Sequence, residues 1–505
     1  MLSKIKYSKW LLLSFVFIFG FIYFLTYFPY ANDGPRGIHQ WAQADRMALC
    51  MRFIEGNSLS EPATLSWRTE NGNTGVEFSG YQYVIAQIIR AGVDQKYLPI
   101  IYRLTTFCCL FISLFTLVYS VIKHENWFFK GFTFLGLLSS PILLYYGYNF
   151  LPDIIGLSLI VACLYLFNKD FERYFYIILL ISGLSLLIKT SSGIYFISFM
   201  AIYFLKYWNK WNLKLILGGL LFISIGSAVA YYDITVVNGR NIKYNSEMFL
   251  SQTLPTKSWK EFVQIFDTAS RFKSDYFNGA QRLLILVLAI VGIANIKKVR
   301  IKNKNTQLGI LVGLGLLSII LLFGVQYMNH DYYVIGTFMP ITLYFIIKGI
   351  ARISEYIHPR TGLVLVGIFA FTSFSLGNQK YFNRMSEHVW INNYREVYYH
   401  KWLKEAEEKI DGIIPKDALV FSVYSPEHNF ALVHLNRKGI CFNAEEMGRQ
   451  EGNPFHWLMK YHKAEYVICY SRFIESFKKD QPEFVAKAIV LYSDEQFSVY
   501  KKNGH

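Results

Sequence analysis

Apolar residues run along this chain in long blocks, separated by short polar connections. Residues 10–30, WLLLSFVFIFGFIYFLTYFPY, make one apolar run just long enough to cross a bilayer as a helix. Roughly seventy residues follow, 31–98, that are too polar to span. Apolar windows resume at 99–122 and continue at 127–148, 153–168, 174–188, 191–207, 212–232, 281–296, 307–327, 333–350 and 361–376. With the first, that makes about eleven spans, and it predicts a polytopic α-helical membrane domain over 1–376, with a second long polar loop at 233–280. From about residue 377 the pattern changes. WLKEAEEKI has the period of an amphipathic helix, and FHWLMKYHK reads as another helix. DALVFSVY and AEYVICY read as short buried strands, and QFSVYKK as a strand with alternation. Strand and helix alternate, so a small α/β domain is expected at 390–505. NRKG there is a turn and not a phosphate-cradling glycine loop, and nothing in the tail reads as catalytic.

Charge orients the spans. The chain is 53% hydrophobic and 18% aromatic, with mean hydropathy +0.26 and net charge +16. That charge does not point to nucleic acid, because much of the Lys and Arg lies in short loops between apolar runs. Lys4, Lys6 and Lys9 place the N-terminus in the cytoplasm. The connections KHENWFFK, NKDFER, LKYWNKWNLK, IKKVRIKNKN and ARISEYIHPR then fall on the same side. Segment 31–98, Asp153, Lys189, loop 233–280, the NHDYY stretch and the tail all fall opposite. The expected location is the cell inner (plasma) membrane, multi-pass, with an extracytoplasmic C-terminal domain. The six cysteines include no zinc-type pair and read as small apolar residues.

The ionisable residues on the outer face are the candidate chemistry. Asp45 lies in HQWAQADRMALCMRFIEG, where Met47, Leu49, Cys50, Phe53 and Ile54 form an apolar stripe with Arg46 and Arg52 off it. This predicts an amphipathic helix along the membrane surface with Asp45 near its start. A helix-start carboxylate is stabilised by the macrodipole alone. The functional reading is a general base beside His39 and Gln43. Asp153 follows Pro152 at the mouth of an apolar span, where a charge is costly unless it serves a purpose, although Pro-Asp is also a common helix start. Two carboxylates on one face can divide the work, one as base and one orienting the substrate or a divalent cation. Lys189, in LLIKTSSG, is either a snorkelling lysine or a cation for a phosphate head group, and Arg103 at a nearby span start has the same choice. His330, Asp331, Tyr332 and Tyr333 form a polar-aromatic knot suited to phosphate or sugar hydroxyls. Glu77, in GNTGVEFSGYQY, is a further acid.

These motifs resemble, in order, those of the GT-C membrane glycosyltransferases. They are most like the bacterial relatives of dolichyl-phosphate-mannose protein mannosyltransferases and of the lipid A aminoarabinose transferase. GIHQWAQADRMALCMRF resembles the family's entry to its first outer helix, and VEFSGYQYVIAQI its second. YNFLPD resembles the acidic motif of the next outer loop, and LIKTSSG and HDYY the later Lys and Tyr motifs. LNRKG and KAEYVI resemble the tails of this group. The resemblance implies an inverting transferase, hexosyl- or pentosyl-, acting in cell-envelope polysaccharide biosynthesis. Its donor is a sugar carried on a polyprenyl phosphate, and its acceptor a glycan, lipid or protein. It casts Asp45 as the base and Asp153 as its acidic partner. His39, Arg46, Glu77, Arg103, Lys189, His330, Tyr332 and Tyr333 become substrate contacts. Two departures stand out. The family's Arg after Trp is Ala42 here, which leaves Arg46 as its replacement. An Asp-Glu pair common in relatives gives Ala42-Gln43, which keeps Asp33 open as an alternative base. A transporter or flippase for lipid-linked sugars is the competing class. It calls for ionisable residues at mid-span rather than at one face.

Overall fold

The computed structural model describes residues 18, 20–23, 25–123, 126–209, 213–246, 255–295, 297, 300–385, 403, 406–425, 427–449 and 454–503. They divide into two units. A helical unit comprises Met1–Ala31, Tyr102–Asp233 and Ser251–Phe382. A mixed unit comprises Asn32–Ile101, Ile234–Leu250 and Asn383–His505.

Among the described residues, five helices are long and apolar enough to cross a membrane: Gln95–Val121, Asp153–Ile188, Leu213–Tyr244, Lys304–Tyr327 and Pro359–Met385. A sixth crossing arises if Trp127–Leu138 and Pro141–Gly147, bent by 78°, count as one span. Pro141 explains the bend, since it cannot continue the preceding helix's hydrogen-bond ladder. This is fewer than the eleven apolar windows. Three windows fall on shorter helices, Gly193–Tyr207, Gly279–Ala294 and Phe338–Ser354. The first window lies outside the described residues over 10–17. Two more windows, 153–168 and 174–188, share the 36-residue run Asp153–Ile188, which is broken at Asp170 (φ −163°, ψ 97°). At about 1.5 Å per residue the unbroken run would reach roughly 54 Å, well beyond a hydrocarbon core. Instead the two halves fold back antiparallel: Ser185 Oγ donates to the Gly156 carbonyl at 3.0 Å, and Lys189 meets Asp153.

The mixed unit holds a five-stranded sheet. Its strands are β1 Val420–Val423, β2 Gly439–Phe442, β3 Tyr466–Tyr470, β4 Ile489–Ser493 and β5 Phe497–Lys501, in the order β2-β1-β3-β5-β4. The first three are mutually parallel, and β5 and β4 are added antiparallel. β1, β3 and β5 are the strands read from the sequence. β2 is only four residues and buried at every position, so it lacks alternation, and β4 is a largely exposed edge strand. Gly439 is required where it stands: a Cβ there would lie 1.7 Å from the Val420 carbonyl oxygen. Residues 65–67 of the first polar segment lie beside β2. The Trp67 amide donates to the Gly439 carbonyl at 2.7 Å, and the Gly439 amide donates to Leu65 at 3.1 Å. The segment thereby covers the edge of the sheet.

Candidate functional site

In the mixed unit, the helix Gln40–Ile54 carries Asp45. It begins after Gly37 (φ 74°) and His39, whose backbone is left-handed (φ 54°) although it has a side chain. A non-glycine residue held there stores strain that its surroundings must offset. Gln43 helps, donating to the Ile38 carbonyl at 2.9 Å and to that of Arg36 at 3.1 Å. The helix ends at Gly56 (φ 109°). It is not the half-exposed surface helix that the apolar stripe suggests, because thirteen of its fifteen residues are buried. Arg46 and Arg52 look solvent-facing in sequence but are matched by acids. Arg46 Nη2 lies 2.6 Å from Glu77 Oε2, and Arg52 pairs with Glu55. A buried charge survives by such pairing.

Asp45 is 9% exposed, and its Oδ1 accepts a hydrogen bond from Asn429 Nδ2 at 2.9 Å. Burial pushes its carboxyl up to about 6, against the Asn429 amide and the Arg46 charge, which favour the carboxylate. A carboxyl at that value is poised to take a proton near neutral pH. Asn429 is the residue that the sequence reading of the tail misses. An Asn just past a strand end in an α/β pattern is the available signal. Asp33, the alternative base, is paired with Arg36, which also donates to the Met385 carbonyl at 2.9 Å. His39 packs edge-on to Trp41, with ring centroids 6.2 Å apart.

In the helical unit a second cluster forms. Asp153 is the first residue of its helix, after Pro152, so the helix macrodipole favours its charge. Lys189 Nζ lies 3.4 Å from its Oδ1, and the side chains are 6% and 2% exposed. Lys189 is therefore a buried ion-pair partner and does not snorkel to water. Its ammonium sits over the Tyr333 ring at 4.8 Å and the Tyr332 ring at 5.6 Å. Those rings stack on each other, and His330 stacks on Tyr332 at 5.4 Å. Asp331 is fully buried and accepts from the Tyr146 hydroxyl at 2.6 Å. The sequence-selected Asp153, Lys189, His330, Tyr332 and Tyr333 thus come together in one place. Arg103 has a different setting. It is fully buried, donates through Nη1 to the Tyr30 and Ala31 carbonyls at 2.8 and 3.0 Å, and packs over Phe150 at 4.4 Å. Its bonds satisfy carbonyls where the first apolar stretch ends.

Among the described residues, no three His, Cys, Asp or Glu side chains gather as metal ligands. The mixed unit offers a buried carboxyl held above the usual carboxylate range, and the helical unit offers a buried ammonium among tyrosines.

No protein-family model and no curated protein matches the chain by sequence. Solved structures do match. ArnT from Cupriavidus metallidurans in the apo state superposes with a TM-score of 0.62 at 9% identity, covering 98% of each chain. The same protein bound to undecaprenyl phosphate gives 0.61 at 8% identity with the same coverage. The archaeal oligosaccharyltransferase AglB from Archaeoglobus fulgidus, in complex with an inhibitory peptide and a dolichol-phosphate, gives 0.52 at 10% identity, over 92% of this chain and 70% of that one. The chain therefore shares the fold of these structures, end to end in the case of ArnT.

Proposed function

We propose that this chain is an inverting glycosyltransferase. It moves a sugar from a polyprenyl-phosphate donor to an acceptor hydroxyl or amine on the non-cytoplasmic face of the inner membrane. The observation that carries the reading is Asp45, a buried carboxyl raised to about 6, in a fold otherwise seen with polyprenyl phosphates bound. Asp45 takes the acceptor's proton as the acceptor oxygen or nitrogen attacks the anomeric carbon. The bond to phosphate breaks on the opposite face, and the polyprenyl phosphate leaves with its electron pair. In the helical unit, Lys189, with Tyr332, Tyr333 and His330, offers positive charge and donors suited to a polyprenyl phosphate. Asp153 holds Lys189 in place, and Glu77 holds Arg46. Arg103, committed to the Tyr30 and Ala31 carbonyls, holds the chain where the first apolar stretch ends. Against a flippase stands the placement of the buried charges. Asp153 begins its helix, Lys189 follows the end of its own, and Arg103 is in the second turn after Leu98, so none sits at mid-span.

Undecaprenyl phosphate added to the detergent-purified protein at about a hundred times its dissociation constant should stabilise it by about 2.7 kcal/mol, a rise of several degrees in melting temperature. Incubation with membrane lipid-linked sugars should release free polyprenyl phosphate as sugar appears on an acceptor. Binding without consumption would favour the flippase. No stabilisation and no consumption would overturn the reading.

The topology is part of the proposal. Reporter fusions after Lys130 and Lys214 should report the cytoplasm, and one after His505 the opposite side. A cytoplasmic signal at His505 would remove the one-face argument.

A further inference from the structure

Asn429 occupies the N-cap position of the helix Phe430–Leu435, a place where an Asn side chain ordinarily accepts from the first free amides of its own helix. Here it makes no cap bond. Its amide instead faces outward in two directions. Nδ2 donates to Asp45 Oδ1 at 2.9 Å, and Oδ1 accepts from the Ser66 amide at 3.0 Å. The side chain is fully buried and both ends are engaged, so one orientation of the amide is enforced. A stabilising local bond has been given up for a contact with one carboxylate.

The position in the sheet has its own logic. β1 lies between β2 and β3, all three parallel, so the connections leaving β1 and β2 run to opposite sides. The carboxyl end of the central strand at such a reversal is where open α/β sheets bind ligands. The chain leaves β1 through Tyr424, in left-handed conformation (φ 57°), and reaches Asn429 five residues later. The first polar segment is held against the same sheet by the Leu65, Trp67 and Gly439 bonds, and His434 Nε2 lies 3.0 Å from the Pro35 carbonyl oxygen. Asp45 is thereby fixed to the end of β1 from several directions.

We infer that Asn429 is a positioning residue of the transfer step, orienting the Asp45 carboxylate from the carboxyl end of β1 and making the C-terminal sheet part of the reaction centre. The inference rests on the reading of Asp45 as the base. Asn429 acts through Asp45 and carries no proton itself. The other groups around Asp45 leave this role distinct. Arg46 is shared with Glu77, and Asp33 is paired with Arg36. His39 lies at the helix start and His434 beyond Asn429. His428, beside Asn429, is held down to about 4 by burial and by Arg68, so it stays neutral while Asp45 titrates.

The test compares Asn429→Asp and Asn429→Ala with the native protein by pH profile and by stability. Asn429→Asp sets a second carboxylate against Asp45, and like charges raise one another. The acid limb of kcat/KM should move upward by about one unit, with about a twofold loss at pH 7 that is recovered at pH 9. KM for the lipid donor should stay within about twofold. Asn429→Ala removes the donor and should shift the limb in the same direction by less. A readout without substrate runs in parallel. The melting temperature of each protein relative to its Asp45→Asn counterpart, followed from pH 4 to 9, reports where Asp45 titrates, and that midpoint should move upward in both variants. Should Asn429→Asp fail to fold, Asn429→Ala carries the test. An unmoved limb and midpoint would overturn the inference and leave Asn429 a structural bridge. Loss of all transfer in the native protein, with the midpoint still shifting, would overturn the glycosyltransferase reading and keep Asn429 as the group that sets Asp45.

Discussion

Asp45→Asn should abolish transfer, by a hundredfold or more in kcat/KM, and at the same time make the protein more stable at neutral pH. The first effect follows from losing the base. Asparagine keeps the size and can still accept from Asn429 Nδ2, so the site survives without its proton acceptor. The second follows from the sign of the pKa shift. In the unfolded chain the carboxyl titrates near 3.9, and in the folded protein burial lifts it to about 6. The folded state therefore holds the proton more tightly. The stability this provides is complete below about pH 4 and is lost as pH rises through 6, where the buried group must ionise. Replacing it with a neutral isostere removes a cost of up to about 2–3 kcal/mol at pH 7–8. The native protein should show an acid limb in kcat/KM near pH 6, absent from the residual activity of the variant. Transfer assays and melting curves across pH 4–9 measure both effects. A variant that is inactive and less stable at pH 7.5 would mean that Asp45 is a structural carboxylate. One that is fully active would return the role of base to Asp33 or Glu77.

What could be read from the sequence depended on how far apart the partners lie. The hairpin from Asp153 to Lys189 is legible because NKDFER places polar residues midway along the run, where the chain breaks at Asp170. The polar knot at His330–Tyr333 is legible for the same local reason. The Asp45 helix is misjudged because its apolar stripe gives only a period. The acid that lets Arg46 be buried, Glu77, lies 31 residues further on and cannot be matched to it by period, unlike Glu55, three residues from Arg52. Arg103 shows the same limit: a cation at a span start reads as a phosphate contact until its carbonyl partners, some seventy residues earlier, are known. Asn429 is the extreme case. It lies 384 residues from Asp45, and the α/β pattern of the tail marks a strand end without saying which distant carboxylate lies beside it.

Lys189→Met should destabilise the protein strongly, and Lys189→Met combined with Asp153→Asn should restore most of that stability without restoring the donor site. The pair is buried on both sides, so removing one partner strands a charge and costs about 3–5 kcal/mol. Removing both leaves two neutral side chains of similar size, an exchange that is often near neutral for a buried pair. Stability alone therefore cannot say why the pair is there, and the double variant separates the two explanations. If Lys189 contacts the phosphate of the polyprenyl donor, the double variant folds but has lost a charge-assisted hydrogen bond of about 1.5–3 kcal/mol, a ten- to hundredfold loss in affinity. Titration with undecaprenyl phosphate, read by melting temperature, measures it directly. Kinetics with donor and acceptor varied in turn should place the defect on the donor side alone. Arg103 offers the contrast: Arg103→Met deprives the Tyr30 and Ala31 carbonyls of their donor, so it should lower stability with no selective effect on donor affinity in the protein that remains folded. A stable double variant that binds undecaprenyl phosphate as tightly as the native protein would make the Asp153–Lys189 pair a clasp between two antiparallel helices and move the phosphate contact to His330, Tyr332 and Tyr333.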